Sequence, residues 1–372
     1  MIKKFSRRNI LKMITGGLFS TYHFLNANKK GKNMSGIINM VSLPEVGPWP
    51  TRDPFLFCVY HNDIYPCAKK DLTPDATLHG RDIGQDFSNK DGWNMYHGDK
   101  VPGFPKHPHR GFETLTVVDK GIIDHSDSLG ASARYGDGDA QWLTAGDGIN
   151  HAEMFPLFNL KNSNPIDFFQ IWINLPSKNK RVSPYFSIFW DKDIPKIKYK
   201  DSRGVMTEVK VISGDYNSTK ACEPPPNSWA RDTSNNVAVW VIRIDKNGEW
   251  NIPKNDNNIL RSLYVAKGNN ISINDQKILP GNRIDLIPNH NIKVQNNGKK
   301  TNLLLLQGKP IKEPVVQYGP FVMNTRAEIQ EAFNDYNQTK FGNWNWETSA
   351  PVHGNKKERF ARLIDGSIEK PT

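Results

Sequence analysis

Hydrophobic and polar positions alternate along most of the chain in short runs separated by turns rich in glycine and aspartate. An apolar, β-branched run at 112–118 ends at Asp119-Lys120-Gly121, and a Gly/Asp turn at 136–139 precedes the run at 140–144. Further runs of this kind lie at 55–60, 151–155 and 167–175. Short strands at regular spacing with such turns are typical of a β-barrel or β-sandwich.

The second half of the chain repeats this rhythm. Its apolar runs lie at 237–244, 262–266, 270–273, 283–287, 291–295 and 302–307. A rhythm shared by the two halves indicates a duplicated structural unit. The pattern therefore predicts an all-β protein with two barrels.

One helical pattern follows the second series, from Arg326 to Tyr336. Thr325 precedes it and Glu328 occupies the third helical position, which predicts a capping box. After the helix we expect a tail that lies over the surface. The predicted division is an export signal at 1–30, a metal-binding barrel at 31–180 and a connecting segment at 181–235. A barrel without metal follows at 236–310, and the helix with its tail occupies 311–372.

The first thirty residues have the composition of an export signal. Five basic residues and no acidic residue lie in the first 27 positions, and an apolar stretch at 13–25 follows them. The segment Ser6-Arg7-Arg8-Asn9-Ile10-Leu11-Lys12 resembles the twin-arginine export motif, from which Ile10 departs. We predict a periplasmic or exported protein, with a cleavage point near Ala27 and no lasting membrane anchor. The alternative is a cytoplasmic protein with a basic N-terminus.

Charge and cysteine content exclude several classes of function. The net charge of +11 falls to +6 without the five basic residues of the signal, and the other basic residues are scattered. We therefore expect no nucleic-acid partner. Cys58, Cys67 and Cys222 form no CxxC motif, so a zinc finger is not expected. We interpret them as small buried thiols, although Cys58 and Cys67 could pair in an oxidising compartment.

Two pairs of metal-ligating residues stand out. His107 and His109 are two positions apart, as are His151 and Glu153. Residues i and i+2 of a strand point to the same face, so each pair delivers two ligands to one place. Three imidazoles and one carboxylate suit a divalent first-row metal held with open positions for chemistry.

Glu113 is the rival for the carboxylate ligand. It lies four residues after His109, about 13 Å along a straight strand, so it reaches the metal only if the strand bends. Six further histidines form no comparable pair and are interpreted as surface or structural residues: His61, His79, His97, His125, His290 and His353.

The stretch HPHRGFETLT, followed by QWLTAGDGINHAEM and FFQIWINLP, resembles the pirin family of the cupin superfamily. The resemblance extends to residues 78–98 and 317–336. It implies two cupin barrels, with iron in the first held by three histidines and one glutamate. Those ligands correspond to His107, His109, His151 and Glu153, while Glu113 occupies the position of the ligand glutamate in other cupins. The predicted second barrel, at 236–310, has only His290, as expected for a barrel without metal.

The resemblance also implies a quercetin 2,3-dioxygenase activity. Fe²⁺, or another divalent first-row metal, would serve as cofactor, and a flavonol or similar aromatic and dioxygen as substrates. Glu153 is the expected catalytic base, with Glu113 as second choice. Several apolar residues near the predicted ligands are expected either to line the substrate pocket or to pack the barrel: Phe104, Phe112, Trp142, Leu143 and Met154.

Two other functions remain open at this point. Some pirins are regulatory partners, so a metal- or redox-responsive interaction protein without enzyme activity is the main alternative. An export signal disfavours it, because intracellular partners would be out of reach. A cupin enzyme with another substrate is the third possibility.

Overall fold

The structure is a computed structural model that describes residues 36–371. The export signal expected at 1–30 lies outside these residues and stays a prediction. Across 36–371, none of the helices is both long enough and apolar enough to cross a membrane. Cys58, Cys67 and Cys222 form no disulfide with one another.

The described chain is dominated by β-strands. The first thirteen are β1 Ile37–Ser42, β2 Trp49–Pro50, β3 Phe55–Tyr65, β4 Gly103–His109, β5 Phe112–Lys120, β6 Ile122–Asp127, β7 Ser132–Gly136, β8 Ala140–Thr144, β9 Ile149–Met154, β10 Asn164–Asn174, β11 Tyr185–Phe189, β12 Lys196–Lys200 and β13 Met206–Ser213. The remaining strands are β14 Ala238–Ile244, β15 Glu249–Ile252, β16 Leu260–Lys267, β17 Ile271–Ile273, β18 Gln276–Ile278, β19 Asn282–Leu286, β20 Ile292–Asn296, β21 Thr301–Gly308, β22 Val316–Tyr318, β23 Phe321–Met323, β24 Phe360–Arg362 and β25 Ile368–Glu369.

Helical structure is sparse. A single α-helix, α1 (Arg326–Thr339), occurs between residues 36 and 371, and Thr325 and Glu328 form the predicted capping box at its start. Ile329 and Ala332 face inward from this helix and pack with Phe321. Short 3-10 turns lie at Lys90–Gly92, Ser177–Asn179, Trp229–Arg231 and Thr233–Asn235.

The chain divides into two compact units. Unit 1 contains the described residues up to 53 together with 195–223 and 232–310. Its sheets have the strand orders β1-β19-β16-β21-β14-β13-β12 and β15-β20-β17-β18, with antiparallel pairing. Both sheets contribute to one hydrophobic core that includes Trp240, Trp250 and Leu263.

Unit 2 contains residues 54–194, 224–231 and those from 311 onward. One of its sheets has the order β11-β8-β5-β10-β3 and the other β25-β24-β7-β6-β9-β4. Val118 and Phe168 from the first sheet pack with Ile123 and Tyr135 from the second in a common core. The predicted all-β fold with two cupin barrels and a late helix is confirmed.

Each unit takes strands from distant parts of the chain. β1 pairs with β19 in unit 1, and β24 pairs with β7 in unit 2. Residues 224–231, expected in the connecting segment, belong to unit 2. These units therefore differ from the linear division expected at 31–180, 181–235 and 236–310. Segments remote in sequence form hydrogen bonds with the edge strands of a sheet and so belong to the same unit as that sheet.

The tail after α1 is part of the unit 2 sheet rather than a loose cover. Phe360–Arg362 continues the sheet beyond β7. Earlier in the tail, the Trp346 indole donates to the Asp127 carbonyl at 2.9 Å, and the His353 imidazole lies 2.8 Å from the His125 carbonyl. Because β6 carries both carbonyls, the tail holds the strand beside the one that bears His151.

Candidate metal centre

The two predicted ligand pairs lie on β4 and β9, which are antiparallel neighbours. His107 is directly opposite His151 across these strands. Two glycines let the backbone approach closely here. At Gly103 an added Cβ would lie 2.4 Å from the Glu153 carbonyl oxygen, and at Gly111, where φ is +84°, it would lie 2.0 Å from the Val322 carbonyl oxygen. Only glycine fits such positions.

The three histidines form a cluster inside the barrel. Ring nitrogens of His107, His109 and His151 lie within 4.8 Å of one another. Their ring centroids are 4.4 Å apart for His107 and His151, 4.7 Å for His107 and His109, and 4.9 Å for His109 and His151. Across residues 36–371 this is the one such group of histidine, cysteine and acidic side chains.

Glu153 lies beside this cluster. Its Oε2 is 3.9 Å from His151 Nε2 and accepts a hydrogen bond of 2.8 Å from the Gln170 amide. Its Oε1 is buried and has no hydrogen-bond partner. Glu153 thus lies on the same face of β9 as His151, next to the three-histidine group but not within it.

Unpartnered atoms test whether a metal fits these residues. His151 is fully buried and neither ring nitrogen has a hydrogen-bond partner, and His109 Nδ1 and Glu153 Oε1 are buried without one. Leaving buried polar atoms unpaired costs about 1–3 kcal/mol each. A divalent cation would bind one nitrogen of each imidazole and a carboxylate oxygen, and a three-imidazole, one-carboxylate set suits a first-row metal. The residues fit such an ion.

The protonation states also suit metal binding. Burial lowers the pKa of His107 to about 4, against the opposing effect of the Pro105 carbonyl. Burial first, and neighbouring imidazoles second, hold the pKa values of His109 and His151 well below the ordinary 6.5. All three are neutral at pH 7, which is the form that binds metals.

One backbone contact selects the free nitrogen of His107. Its Nδ1 lies 2.9 Å from the Pro105 carbonyl, which can only accept, so Nδ1 carries the proton. Nε2 is then left with its lone pair. Such a contact fixes the tautomer and the orientation of a ligand imidazole.

Glu113 does not point at the cluster. One carboxylate oxygen accepts from the Thr144 hydroxyl at 2.7 Å and the other from the Ser228 hydroxyl at 2.6 Å. Burial raises its pKa to about 7, and these two hydroxyl donors oppose the rise. Both carboxylate oxygens of Glu113 thus accept hydrogen bonds from hydroxyl groups, whereas one oxygen of Glu153 has no hydrogen-bond partner.

The raised pKa of Glu113 makes the stability of the protein pH-dependent. Between pH 4.5 and pH 7 the folded protein holds a proton that the unfolded chain has lost, so the free energy of unfolding falls as pH rises. The fall attributable to this group is about 3 kcal/mol. Glu113→Gln is expected to flatten the curve, as measured by urea denaturation across this interval. An equally steep curve in the variant would contradict this assignment.

Aromatic side chains surround the histidines. Phe112 and Trp172 stack with ring centroids 3.9 Å apart and lie 5.0 Å and 5.1 Å from the His109 ring. Phe104 lies 6.3 Å from the His107 ring. Phe104 and Phe112, which the sequence offers as apolar neighbours of the ligands, thus lie beside the histidines.

The other expected wall residues have different neighbours. Trp142 packs with Phe189, and Leu143 belongs to the barrel core. Met154 alternates with Glu153 along β9, so it points to the opposite face of that strand. Strand parity directs the side chains of Trp142 and Met154 away from the histidine cluster, and Leu143 is enclosed in the core. All three are therefore packing residues.

Three side chains near the ligands were not identified from sequence: Gln170, Trp172 and the buried His125. Gln170 is the one polar residue in the run FFQIWI, and that interruption is a usable signal. His125 is fully buried, pairs across the strands with Glu153, and places its Nε2 3.1 Å from Asp127 Oδ2. A lone histidine in sequence carries no comparable signal.

The remaining histidines serve other roles or are exposed. His61 is buried and its Nδ1 lies 2.8 Å from the Tyr96 hydroxyl, which donates to Asp63 at 2.7 Å. His290, in unit 1, is exposed. The metal-ligating chemistry of the described chain is therefore concentrated in unit 2.

Comparisons with known proteins agree with this geometry. The Pirin family model matches residues 73–173, and the Pirin C-terminal cupin domain matches residues 239–342. A pirin-like protein of Solanum lycopersicum is 34% identical over 275 residues, which cover 72% of this chain and 88% of that protein. Pirin of Homo sapiens is 34% identical over 257 residues, covering 67% of this chain and 81% of that protein.

A solved structure gives the same result. The crystal structure of quercetin 2,3-dioxygenase from Acinetobacter baumannii has a TM-score of 0.64 and is 26% identical, covering 82% of this chain and 98% of that one. The two family models match separate parts of the chain, and the structural match supports the all-β fold with two cupin barrels. The chain belongs to the pirin family.

Proposed function

We propose that this pirin-family protein is a metal-dependent dioxygenase of the quercetin 2,3-dioxygenase type, acting on a flavonol or a similar flat aromatic. The observation that carries the proposal is the cluster of His107, His109 and His151 inside the unit 2 barrel, with Glu153 Oε2 3.9 Å from His151 Nε2 and stacked aromatic rings beside His109. The similarity to the A. baumannii enzyme supports the reaction class.

The three histidines and Glu153 are proposed to hold Fe²⁺. When bound, the metal would supply Lewis-acid activation of a hydroxy-ketone and electron exchange with dioxygen. A set of four protein ligands would leave room at the metal for substrate or dioxygen. The reaction consumes one flavonol and one dioxygen and releases carbon monoxide and a ring-opened ester, so no other oxidant is required.

Glu153 is the proposed base for the substrate's 3-hydroxyl proton. It is buried, and burial raises the pKa of its carboxyl above the ordinary 4.5, which makes it a better proton acceptor. The stacked pair Phe112 and Trp172 presents apolar surface beside His109, which suits a planar ring. Phe104 supplies apolar surface on the His107 side.

The test is turnover of quercetin by protein loaded with Fe²⁺ under anaerobic conditions and then exposed to oxygen. We expect loss of quercetin absorbance together with release of carbon monoxide. The controls are metal-free protein and His107→Ala, whose iron content is expected to fall well below stoichiometric. If loaded protein consumes quercetin no faster than metal-free protein, the dioxygenase proposal is wrong and a metal-responsive interaction protein becomes the better reading.

A further inference from the structure

A row of polar side chains crosses one inner face of the unit 2 barrel beside Glu153. Gln170 on β10 is paired with Thr116 on β5, and Thr116 is paired with Gln141 on β8. Directly paired residues of neighbouring strands point to the same face. That face is the inner one, because Gln170 reaches Glu153 on the other sheet.

Two hydrogen bonds join this row to the facing sheet. The Gln170 amide donates to Glu153 Oε2 at 2.8 Å, and the Tyr135 hydroxyl donates to Gln141 Oε1 at 3.2 Å. Thr116 lies between these contacts. The carboxylate therefore meets a neutral carboxamide on the side of β10.

We propose that Gln170 is the positioning residue for Glu153, fixing the orientation of its carboxylate beside the three histidines. The inference deepens the proposed function and rests on it. Oε2 accepts from the Gln170 amide and is also the oxygen that lies 3.9 Å from His151 Nε2, whereas Oε1 is buried and has no hydrogen-bond partner. The amide thus fixes the orientation of the whole carboxylate at the histidine cluster.

The chemical nature of the donor supports this role. A carboxamide donates a hydrogen bond without carrying charge, so Glu153 keeps its full negative charge for a cation. An arginine or lysine at position 170 would form a stronger, charge-assisted pair and would compete with the metal. Glutamine orients the carboxylate and leaves its charge unneutralised.

The position of Gln170 within β10 also points to a selected contact. Its neighbours on the same face, Phe168 and Trp172, are buried aromatic residues. The Gln170 side chain between them is half-buried, so its amide benefits from a hydrogen-bond partner. The bond to Glu153 satisfies the amide and links β10 to the ligand strand β9.

Gln170→Met tests the role because methionine has a similar length and no donor. Cobalt(II) is titrated into wild type and variant, and the visible absorption of the complex is recorded. We expect the cobalt Kd to rise about 10- to 100-fold, as is usual when a hydrogen-bond partner of a ligand is removed. We also expect the spectrum to move toward that of Glu153→Gln. The matched control is Gln307→Met, a buried glutamine in unit 1 that accepts from Arg261.

A second measurement separates this inference from the proposed function. A crystal structure of metal-free Gln170→Met is expected to show the Glu153 carboxylate turned away from its wild-type position. If wild type fails to bind cobalt, the proposed function fails, and the carboxylate position still decides the role of Gln170. An unmoved Glu153 carboxylate, or a variant with the wild-type Kd and spectrum, overturns the inference.

Discussion

His151→Leu is expected to abolish metal binding while leaving the metal-free protein at least as stable as wild type. His151 is fully buried, and neither ring nitrogen has a hydrogen-bond partner. Replacing an unsatisfied buried polar group with an apolar one of similar size is nearly neutral or stabilising. The buried imidazole therefore lowers stability unless an ion binds one of its nitrogens.

The measurement is thermal unfolding with and without Fe²⁺ or Co²⁺ under anaerobic conditions. A ligand at 100 times its Kd stabilises the native state by about 2.7 kcal/mol. We expect a shift of this kind for wild type and none for His151→Leu. The exposed His290 in unit 1 provides the control His290→Leu, which should keep the shift. A metal-induced shift that survives in His151→Leu would remove this residue from the ligand set.

Arg134→Met is expected to cause a large loss of stability in the same barrel. Arg134 is 1% exposed and Asp124 is fully buried, and two bonds of 2.7 Å join the guanidinium to the carboxylate. The guanidinium also donates to tail carbonyls at Gly354 (3.0 Å) and Lys356. Removing one partner of a buried ion pair costs about 3–5 kcal/mol, because the other charge is left uncompensated.

Hydrogen exchange measures this loss locally, which matters in a protein of two units. We expect the amides of β6 and β7 to lose protection in Arg134→Met, and the tail to become sensitive to proteases. Arg243→Met in unit 1 is the control. Its bond of 2.8 Å to Glu208 is partly exposed, so the change should cost under about 1 kcal/mol. Equal losses of stability in the two variants would contradict the role of Arg134 in holding β6, β7 and the tail together.

Local patterns in the sequence are sufficient for the type of fold. Period-2 alternation and Gly/Asp turns predict strands, and Thr325 with Glu328 predicts the start of the helix, because these signals act within a few residues. The composition of each segment does not show which strands pair. β1 joins β19 and β24 joins β7 through backbone hydrogen bonds between segments far apart in the chain.

The candidate site, too, is determined partly by local sequence and partly by tertiary structure. The spacing of His107 with His109 and of His151 with Glu153 determines by itself that each pair shares a face, since side chains alternate along a strand. Only the antiparallel pairing of β4 with β9 places His107 opposite His151. The sequence leaves Glu113 and Glu153 as rival carboxylates until the folded chain brings Thr144 and Ser228 to one and Gln170 to the other. Those partners come from other strands and from residues 224–231, so tertiary structure alone decides them.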